Sequence, residues 1–393
     1  MTKYDPHNYK RREELALNSL KKSKIPKRNK QLILEFRQDC IINGLSLARI
    51  AKYLYRLKKV SELLNHKDFD KVNIDDIKQA VMKIETSDYA ELTKVDTKVI
   101  IKRFYAWVRK CEYRVYPPEV RWIRGHHKTH TKIPEELLSE EEVKTLINVA
   151  TNFRDKALVS ILYESGCRIA EILGLKFKNI TFDDYGATII VDGKTGVRRI
   201  RIITSVGYLV KWMNNYPFRK SPESPVWTIF SKPKSMEYGL TRRILRNLVK
   251  KSKIEKRVHP HLFRHSRATH LANHLKEAQM KEYFGWTQSS RMASTYIHLS
   301  GRDIDKAILK ANGIKLKEED KPKSGFKNKE CPRCNENNLP TNTFCFRCAM
   351  PLDSKVLQER ISNKNNLHSM MDKLLEDESF KEMLLEKLQT VPM

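Results

Sequence analysis

The sequence predicts an α+β fold that is mainly α-helical. Apolar residues recur at helical spacing over residues 31–113, two β-branched runs meet at a glycine-rich turn near residue 194, and two Cys-x-x-C pairs lie towards the C-terminus. We therefore expect an N-terminal helical domain, a mixed domain with a small antiparallel sheet, a cysteine-rich ribbon and a helical tail. A chain of 393 residues can hold two or three such domains.

The chain is strongly basic, with 76 Lys and Arg residues against 47 Asp and Glu residues, a formal net charge of +29. Such an excess favours a polyanion, and double-stranded DNA is the expected partner. A membrane surface is the competing polyanion, but no apolar stretch approaches the roughly 20 residues that span a bilayer. The first six residues lack the apolar core of a secretory signal. A cytoplasmic, DNA-associated protein is expected.

Helical periodicity dominates the N-terminal part of the chain. Residues 1–30 are a basic arm or first helix, and residues 31–116 form a helical bundle. The last helix of the bundle carries cations that we expect to face DNA phosphates, the alternative being a solvated charged face. These cations are Lys98, Lys102 and Arg103. Over residues 117–136 three prolines and three histidines without apolar periodicity indicate a linker.

A mixed domain is expected over residues 137–315. Ser139, with Glu142 three residues later, predicts a capping box at its first helix. Leucine spacing predicts a further helix over residues 240–251, which should lie against DNA. Its outward cations are Arg242, Arg243, Arg246 and Lys250.

Two β-branched runs within this domain predict a hairpin with Lys194 at its tip. The tripeptide Gly193-Lys194-Thr195 superficially suggests a nucleotide-binding P-loop. No glycine stands five residues before Gly193, however, and no helix is expected after the turn, which excludes that site.

Two arginines and a histidine are placed to bind one phosphate. Arg168 lies near the start of a short helix that follows a glycine turn. His261 and Arg264 are three residues apart, so their side chains leave the same face of a helix. Two guanidinium groups can bind two non-bridging phosphate oxygens and hold the extra charge of a pentacoordinate transition state.

Tyr296 is the expected nucleophile. A free phenol has a pKa of about 10, so roughly one molecule in a thousand is ionised at neutral pH. The two arginines favour the phenolate, and His261 is placed to accept its proton. Lys194 suits protonation of the leaving 5′ oxygen. Trp286 can donate its indole N–H to a phosphate oxygen while its ring packs beneath the nucleophile helix.

These motifs, in this order between about Leu138 and Leu299, resemble those of the tyrosine recombinases of the phage integrase family, with an archaeal-type integrase as the nearest form. By that resemblance the catalytic set is Arg168, Lys194, His261, Arg264, Trp286 and Tyr296. Tryptophan stands at position 286 where most members have histidine, which moves this position towards packing and hydrogen bonding. The resemblance also implies a core-binding domain that clamps DNA, a 3′-phosphotyrosyl intermediate without ATP or a catalytic metal, and a homotetramer on paired DNA sites.

Four of the seven cysteines form two Cys-x-x-C knuckles within residues 329–353. Each knuckle can give two thiolates to one tetrahedral ion, so we expect a structural zinc ribbon. A redox motif would need only one pair, and a disulfide is disfavoured inside cells. The expected ligands are Cys331, Cys334, Cys345 and Cys348.

Lysine-rich residues 316–328 form a linker before the ribbon, and residues 354–393 form an acidic segment with helical spacing. This tail helix docks either on a neighbouring subunit or on its own domain, and the residues leave both arrangements open.

The expected function is site-specific recombination of DNA, with integration and excision of a mobile element as the first choice. An Xer-like resolvase of chromosome or plasmid dimers would use the same residues. A type IB topoisomerase would use the same chemistry as a monomer and only relax supercoils. From a different class, a non-catalytic DNA-binding regulator would recruit a partner through the zinc ribbon.

Overall fold

The computed structural model describes residues 4–125, 136–218, 221–299, 308, 312, 328–339, 342–345 and 350–352. The chain divides into two units, Met1–Lys132 and Ile133–Met393. Both consist mainly of helices, and the strands belong to the second unit. The predicted α+β, mainly helical class is therefore confirmed.

The first unit is helical. In chain order its helices are α1 (Tyr9–Lys21), α2 (Lys27–Ile42), α3 (Leu47–Leu63), α4 (Ile74–Glu85), α5 (Glu91–Val108) and α6 (Pro118–Arg121). Apolar residues at helical spacing explain them, as in α2, where Leu32, Phe36 and Cys40 are buried on one face. These side chains share one core with the buried faces of α1, α3, α4 and α5.

The basic N-terminal segment contributes a helix to this core. Ala16 and Leu20 of α1 are each only 1% exposed, and α1 packs along α3. The cations of α1 therefore lie on a helix whose opposite face is packed against the unit, so this segment is a first helix, one of the two forms expected for it.

The cations of α5 are held within the first unit. Lys98 is only 9% exposed and is paired with Glu85, because helical spacing puts it on the buried stripe of α5 with Ile101 and Tyr105. Lys98 is thus not the solvent-facing cation that the sequence suggested. Its two companions, both half-buried, also have partners: Lys102 Nζ donates to the Ile123 carbonyl at 3.0 Å, and Arg103 donates to the Tyr53 hydroxyl at 3.3 Å.

The second unit is built around one buried helix. Its helices are α7 (Glu140–Val149), α8 (Phe153–Ser165), α9 (Ile169–Leu173), α10 (Val206–Asn214), α11 (Tyr238–Ser252), α12 (Pro260–Ala272), α13 (Glu277–Phe284) and α14 (Met292–Leu299). Helix α8 is buried from Arg154 to Ser165 except at the half-buried Lys156, as expected of a helix surrounded by others, and it packs against α7, α10 and α12. The predicted capping box of Ser139 and Glu142 at α7 is present.

A three-stranded antiparallel sheet lies beside α8 and α9. Its strands, in the order β1-β2-β3, are β1 (Ile180–Asp183), β2 (Gly186–Gly193) and β3 (Gly196–Ile202). The predicted hairpin is the β2–β3 pair, with Gly193 opposite Gly196 and Lys194 in the turn between them. Alternation along β2 buries Ala187, Ile189 and Val191 in the core of the unit.

The cysteine-rich region contains a short hairpin, β4 (Lys329–Glu330) and β5 (Asn337–Asn338). Cys348, the linker at 316–327 and the expected tail helix at 354–393 lie outside the described residues. Among the residues that are described, no helix is both long enough and apolar enough to cross a bilayer.

Candidate active site

Helix α12 carries a histidine and a buried arginine to the centre of the second unit. Pro260 occupies its first turn, and the side chain of His259 accepts the Leu262 N–H, so the helix begins just before the two residues. Arg264 is only 3% exposed and donates to the carbonyls of Gly166 at 3.0 Å and Phe284 at 2.5 Å. His261, nearly one turn earlier, is exposed.

Arg168 reaches the same region from the N-cap of α9. Its backbone N–H donates to Glu171 Oε2 at 2.8 Å, and its guanidinium donates to Glu171 Oε1 at 3.0 Å. A further N–H lies 3.4 Å from the Gly285 carbonyl. With its side chain 31% exposed, Arg168 is half-buried, so it keeps a surface open to a ligand.

The C-terminal end of α13 gathers three arginines. The carbonyl of Tyr283 accepts from Arg198 at 3.0 Å, the next carbonyl accepts from Arg264, and the carbonyl of Gly285 lies against Arg168. Helix C-termini leave such carbonyls without helical partners and carry a partial negative charge, so they are suited to orient cations. The helix end thus supports a cationic pocket.

Gly285 is the residue at which α13 must turn. Its φ is +58°, in the left-handed region, and a Cβ there would lie 2.9 Å from the Arg198 guanidinium. The Thr195 hydroxyl donates to the Gly285 carbonyl at 2.9 Å, which ties the tip of the β2–β3 hairpin to this turn. A glycine is therefore required both by the backbone and by the crowding of the site.

Glu171 and Arg198 form a buried ion pair beneath the pocket. Arg198 donates to both carboxylate oxygens, at 3.0 and 2.7 Å, and Glu171 is only 4% exposed. Burial would raise the pKa of Glu171, but the hydrogen bonds and charge of Arg198, with support from Arg168, hold this pKa below its usual value. The carboxylate therefore stays ionised and fixes both arginines.

Burial and the neighbouring Arg168 lower the pKa of Arg264 to about 10. At neutral pH Arg264 still carries its proton, so two positive groups are held close together inside the unit. This arrangement is costly without an anion, and a phosphate is the group that would relieve it.

The Tyr296 hydroxyl lies inside this pocket. Tyr296 is only 4% exposed, and its hydroxyl is hydrogen-bonded to Nδ1 of His265. Its ring stacks on Trp286 with a centroid distance of 5.5 Å and an interplanar angle of 7°. Burial raises the pKa of Tyr296 to about 12, although the charge of Arg264 opposes this rise.

The structure thus brings most of the predicted residues together. Arg168, Arg264, Trp286 and Tyr296 surround one pocket, while the His261 ring packs edge-on against His265 at 4.6 Å. Lys194 is exposed in the hairpin turn, next to the Thr195 hydroxyl that bonds the Gly285 carbonyl.

Three functional side chains were not singled out as site residues from the sequence. His265 lies four residues after His261, and this helical spacing was a usable signal for a shared face. Arg198 alternates with outward-facing neighbours on β3, and Glu171 follows Arg168 by three residues, but neither pattern by itself distinguishes a site residue from a surface ion pair.

The exposed face of α11 is a candidate DNA interface. A groove beside this helix is lined by Tyr238, Lys256, Arg257 and His259 as well as by cations of α11. The four α11 cations expected to bind phosphates are all exposed, namely Arg242, Arg243, Arg246 and Lys250. Inward leucines explain this arrangement, because they hold the opposite face of the helix in the core.

The cysteine-rich hairpin offers a candidate metal site. The Sγ atoms of Cys331, Cys334 and Cys345 all lie within 4.8 Å of one another, and Cys331 and Cys345 are buried. The turn between the first two thiols is closed by hydrogen bonds from the Cys331 N–H to the Glu336 carbonyl at 2.9 Å and from the Asn335 N–H to the Cys331 carbonyl at 2.9 Å. Converging thiols in such a turn fit a tetrahedral metal ion.

Comparison with known proteins relates the second unit to a known family. Residues 136–302 match the phage integrase family. The tyrosine recombinase XerC of Staphylococcus aureus strain USA300 / TCH1516 is 24% identical over 242 residues, which cover 59% of this chain and 79% of that protein.

Two solved structures share the fold. The XerH site-specific recombinase, in a post-cleavage complex with palindromic difH substrate, has a TM-score of 0.55 and 16% identity, with 79% of this chain and 98% of that chain covered. A lambda integrase dimer bound to a COC′ core site has a TM-score of 0.56 and 14% identity, with 70% and 78% covered. Residues 136–302 of the chain therefore form a domain of the phage integrase family of tyrosine recombinases, enzymes that transfer DNA strands.

Proposed function

We propose that this chain is a site-specific recombinase that cuts and rejoins double-stranded DNA through Tyr296. The observation that carries the proposal is the environment of one hydroxyl. Tyr296 is buried, is hydrogen-bonded to His265, and lies within the electrostatic influence of Arg264. A phenol in that setting has a proton acceptor and a cationic partner for the phosphate at the same place.

In the first step the Tyr296 oxygen attacks the scissile phosphorus. The phenol O–H bond breaks, a bond forms between the phenol oxygen and phosphorus, and the bond from phosphorus to the 5′ oxygen breaks. Arg168 and Arg264 bind non-bridging oxygens and stabilise the charge of the transition state. The product is a 3′-phosphotyrosyl bond and a free 5′-hydroxyl.

His265 receives the proton in this mechanism. The sequence favoured His261, but the Tyr296 hydroxyl is hydrogen-bonded to Nδ1 of His265. A neutral phenol with a raised pKa donates this bond, which leaves the second ring nitrogen, Nε2, to carry the imidazole hydrogen. The exposed His261 would instead contact the phosphate.

Lys194 would protonate the departing 5′ oxygen from the hairpin tip. The turn is tied to the pocket through the hydrogen bond between Thr195 and the Gly285 carbonyl. In the reverse step the 5′-hydroxyl of another strand attacks the phosphorus and gives its proton to Lys194, while the bond from phosphorus to the Tyr296 oxygen breaks and His265 returns the proton to that oxygen. One phosphodiester is exchanged for another, so the cycle needs no ATP and no catalytic metal.

A nicked suicide substrate tests this proposal. The short fragment that carries the free 5′-hydroxyl diffuses away after cleavage, so the strand cannot be rejoined and the covalent adduct accumulates. We expect Tyr296→Phe to abolish the adduct while DNA binding is retained. Tyr185→Phe is the matched control, since that tyrosine is 79% exposed and outside the pocket. An adduct that persists in Tyr296→Phe would contradict the assignment of the nucleophile.

For the biological role we propose integration and excision of a mobile element, carried out by a homotetramer on paired DNA sites. The additional cysteine-rich module supports this choice over a minimal resolvase. Resolution of chromosome or plasmid dimers is the second candidate, favoured by the likeness to XerC. Mapping the covalently joined nucleotide in host DNA separates the two, because an integrase joins a mobile-element end and a resolvase joins a chromosomal site.

Two further functions are distinguished by assay. Relaxation of supercoiled DNA without strand exchange between two target duplexes would favour a topoisomerase. DNA binding without any adduct on the suicide substrate would favour a non-catalytic regulator. Both the topoisomerase and the regulator would bind cytoplasmic DNA.

We also propose that the cysteine-rich module binds one structural Zn²⁺. Cys331, Cys334 and Cys345 supply three converging thiols, and Cys348 is the proposed fourth ligand. Thiolates favour zinc over magnesium or calcium. The ion would hold the hairpin together and would take no part in strand transfer.

A further inference from the structure

The cysteine-rich hairpin is seated on the catalytic unit at the start of α10. Leu339 follows β5 and is partly buried against the core of that unit. A Cβ placed on Gly207 would come closer to Leu339 Cδ2 than real Cβ atoms approach, and would lie 3.1 Å from Leu339 Cγ. Leu339 therefore fills the space that a side chain at position 207 would need.

Only a short stretch of chain separates this contact from the thiols. Cys331 comes directly after β4, and β4 pairs with β5, which ends immediately before Leu339. Asn338 is 1% exposed, and its side chain donates to the Glu336 carbonyl at 2.7 Å. Two strands of two residues each cannot hold such a hairpin by themselves, so its shape must depend on the cysteines.

The receiving surface, by contrast, is firmly anchored. The buried carboxylate of Glu164, at the end of α8, accepts the backbone N–H groups of Ile203, Thr204 and Ser205 at 2.7, 2.9 and 2.7 Å. These groups lead into α10 and place Gly207 in its first turn. The slot at Gly207 is thus part of the same framework as the helix that precedes Arg168.

We propose that the cysteine-rich hairpin is an intramolecular docking module whose seating is controlled by its metal. Metal binding fixes the hairpin, Leu339 enters the slot at Gly207, and the start of α10 is stabilised. Loss of the metal releases Leu339 and exposes the slot. This inference rests on the proposed zinc site and adds to it a mechanical link with the catalytic unit.

Hydrogen exchange of the full chain, followed by mass spectrometry on peptides that cover residues 203–214, tests the proposal. Zinc content is measured in parallel by release to a colorimetric chelator. In the wild-type protein, added Zn²⁺ should slow exchange of these amides by about tenfold relative to chelator-treated protein, the order expected from burial of one leucine side chain.

Two variants should separate docking from metal binding. Leu339→Ala removes the inserted side chain, and Gly207→Leu fills the slot. Both should retain the wild-type zinc content but lose the zinc-dependent protection of residues 203–214. Gly239→Leu is the matched control, since a Cβ at Gly239 meets nothing within 4 Å, and it should behave like the wild type.

The outcomes are distinguishable. Stoichiometric zinc with equal exchange in the presence and absence of the metal would overturn the docking proposal and leave the zinc site intact. Absence of bound zinc would overturn both the zinc site and the proposal that a metal controls docking. Neither result depends on strand-transfer activity, so neither bears on Tyr296.

Discussion

Replacement of His265 by glutamine should change how strand cleavage depends on pH. The glutamine amide can keep a hydrogen bond to the Tyr296 hydroxyl but cannot take its proton. If His265 is the base, the wild-type rate falls only at acidic pH, where a histidine is protonated and has no acceptor, and reaches a plateau above. The variant should show no plateau.

The size of the effect follows from the buried phenol. With the pKa of Tyr296 raised to about 12, roughly one phenol in 100,000 is ionised at pH 7, about 100-fold fewer than for a free phenol. That difference corresponds to about 2.7 kcal/mol. A positioned base typically contributes about 100- to 10,000-fold, so His265→Gln should lower the cleavage rate at pH 7 within this range.

The assay is the rate of covalent adduct formation on a nicked suicide substrate between about pH 6 and 10, a range that spans the ordinary pKa values of histidine and tyrosine. Without its base the phenol must ionise before it attacks, so the variant rate should rise about tenfold per pH unit without a plateau up to about pH 9, below the pKa of about 10 at which Arg264 loses its proton. His270→Gln is the matched control. His270 is also on α12 and is also hydrogen-bonded to a tyrosine hydroxyl, that of Tyr163 at 2.6 Å, but this tyrosine is not the nucleophile.

A specific result would refute this reasoning. If His265→Gln keeps the wild-type pH profile while His261→Gln loses the plateau, then the proton passes to His261. The hydrogen bond between Tyr296 and His265 would in that case belong to a resting arrangement that DNA binding breaks.

Other substitutions probe the support of the pocket and the DNA surface. Glu171→Gln should lower the free energy of unfolding by about 3–5 kcal/mol, because the buried guanidinium of Arg198 and the half-buried guanidinium of Arg168 lose their counter-charge. Since the pKa of Glu171 is lowered from 4.5, its stabilisation is present above that pH and is lost as the pH falls further. Urea titrations at several acidic pH values should therefore show a steeper loss of stability in the wild type than in the variant, which keeps only the contribution of the other carboxylates. Gly285→Ala should lower the free energy of unfolding by about 1–2 kcal/mol for the left-handed backbone, and by a further amount for the clash of the new Cβ with its neighbours. Gly44→Ala is the control, because Gly44 has a φ of +68° with open space around it and should lose the backbone part alone. Equal losses of stability in thermal unfolding would contradict the crowding at the pocket. Arg246→Gln should reduce the magnitude of the slope of log affinity against log salt by about 0.9, because one exposed phosphate contact is lost. Lys98→Gln should leave this slope unchanged and destabilise the first unit, because Lys98 is buried. A reduced slope in Lys98→Gln would show that this lysine reaches DNA.

The fold and the pocket could be read from local patterns wherever a short segment decided the outcome. Hydrophobic spacing is set within one helix, and the glycine turn before Arg168 is set by its own backbone, so both were predictable from the residues. The same holds for the β2–β3 hairpin, whose pairing partners are close in the chain.

Features that depend on distant segments were not predictable. The pairing of Arg198 with Glu171 joins residues 27 apart, and the bond from His265 to Tyr296 joins residues 31 apart. The prediction for Lys98 was wrong for a local reason. This cation was expected to face DNA, although its helical spacing matched the buried stripe of α5. One sequence does not reveal which of several helix faces meets another segment.

The end of α13 has a further consequence for how such an enzyme can change. Three arginines are oriented by consecutive carbonyls at this helix end. Inserting or deleting one residue in that short helix would rotate its terminus by about 100°, so all three arginines would lose their hydrogen-bond acceptors together. A change in this helix therefore cannot reposition one arginine without moving the others. New target preferences would have to arise elsewhere, for example on the exposed side of α11, where a substitution leaves the chemistry in place.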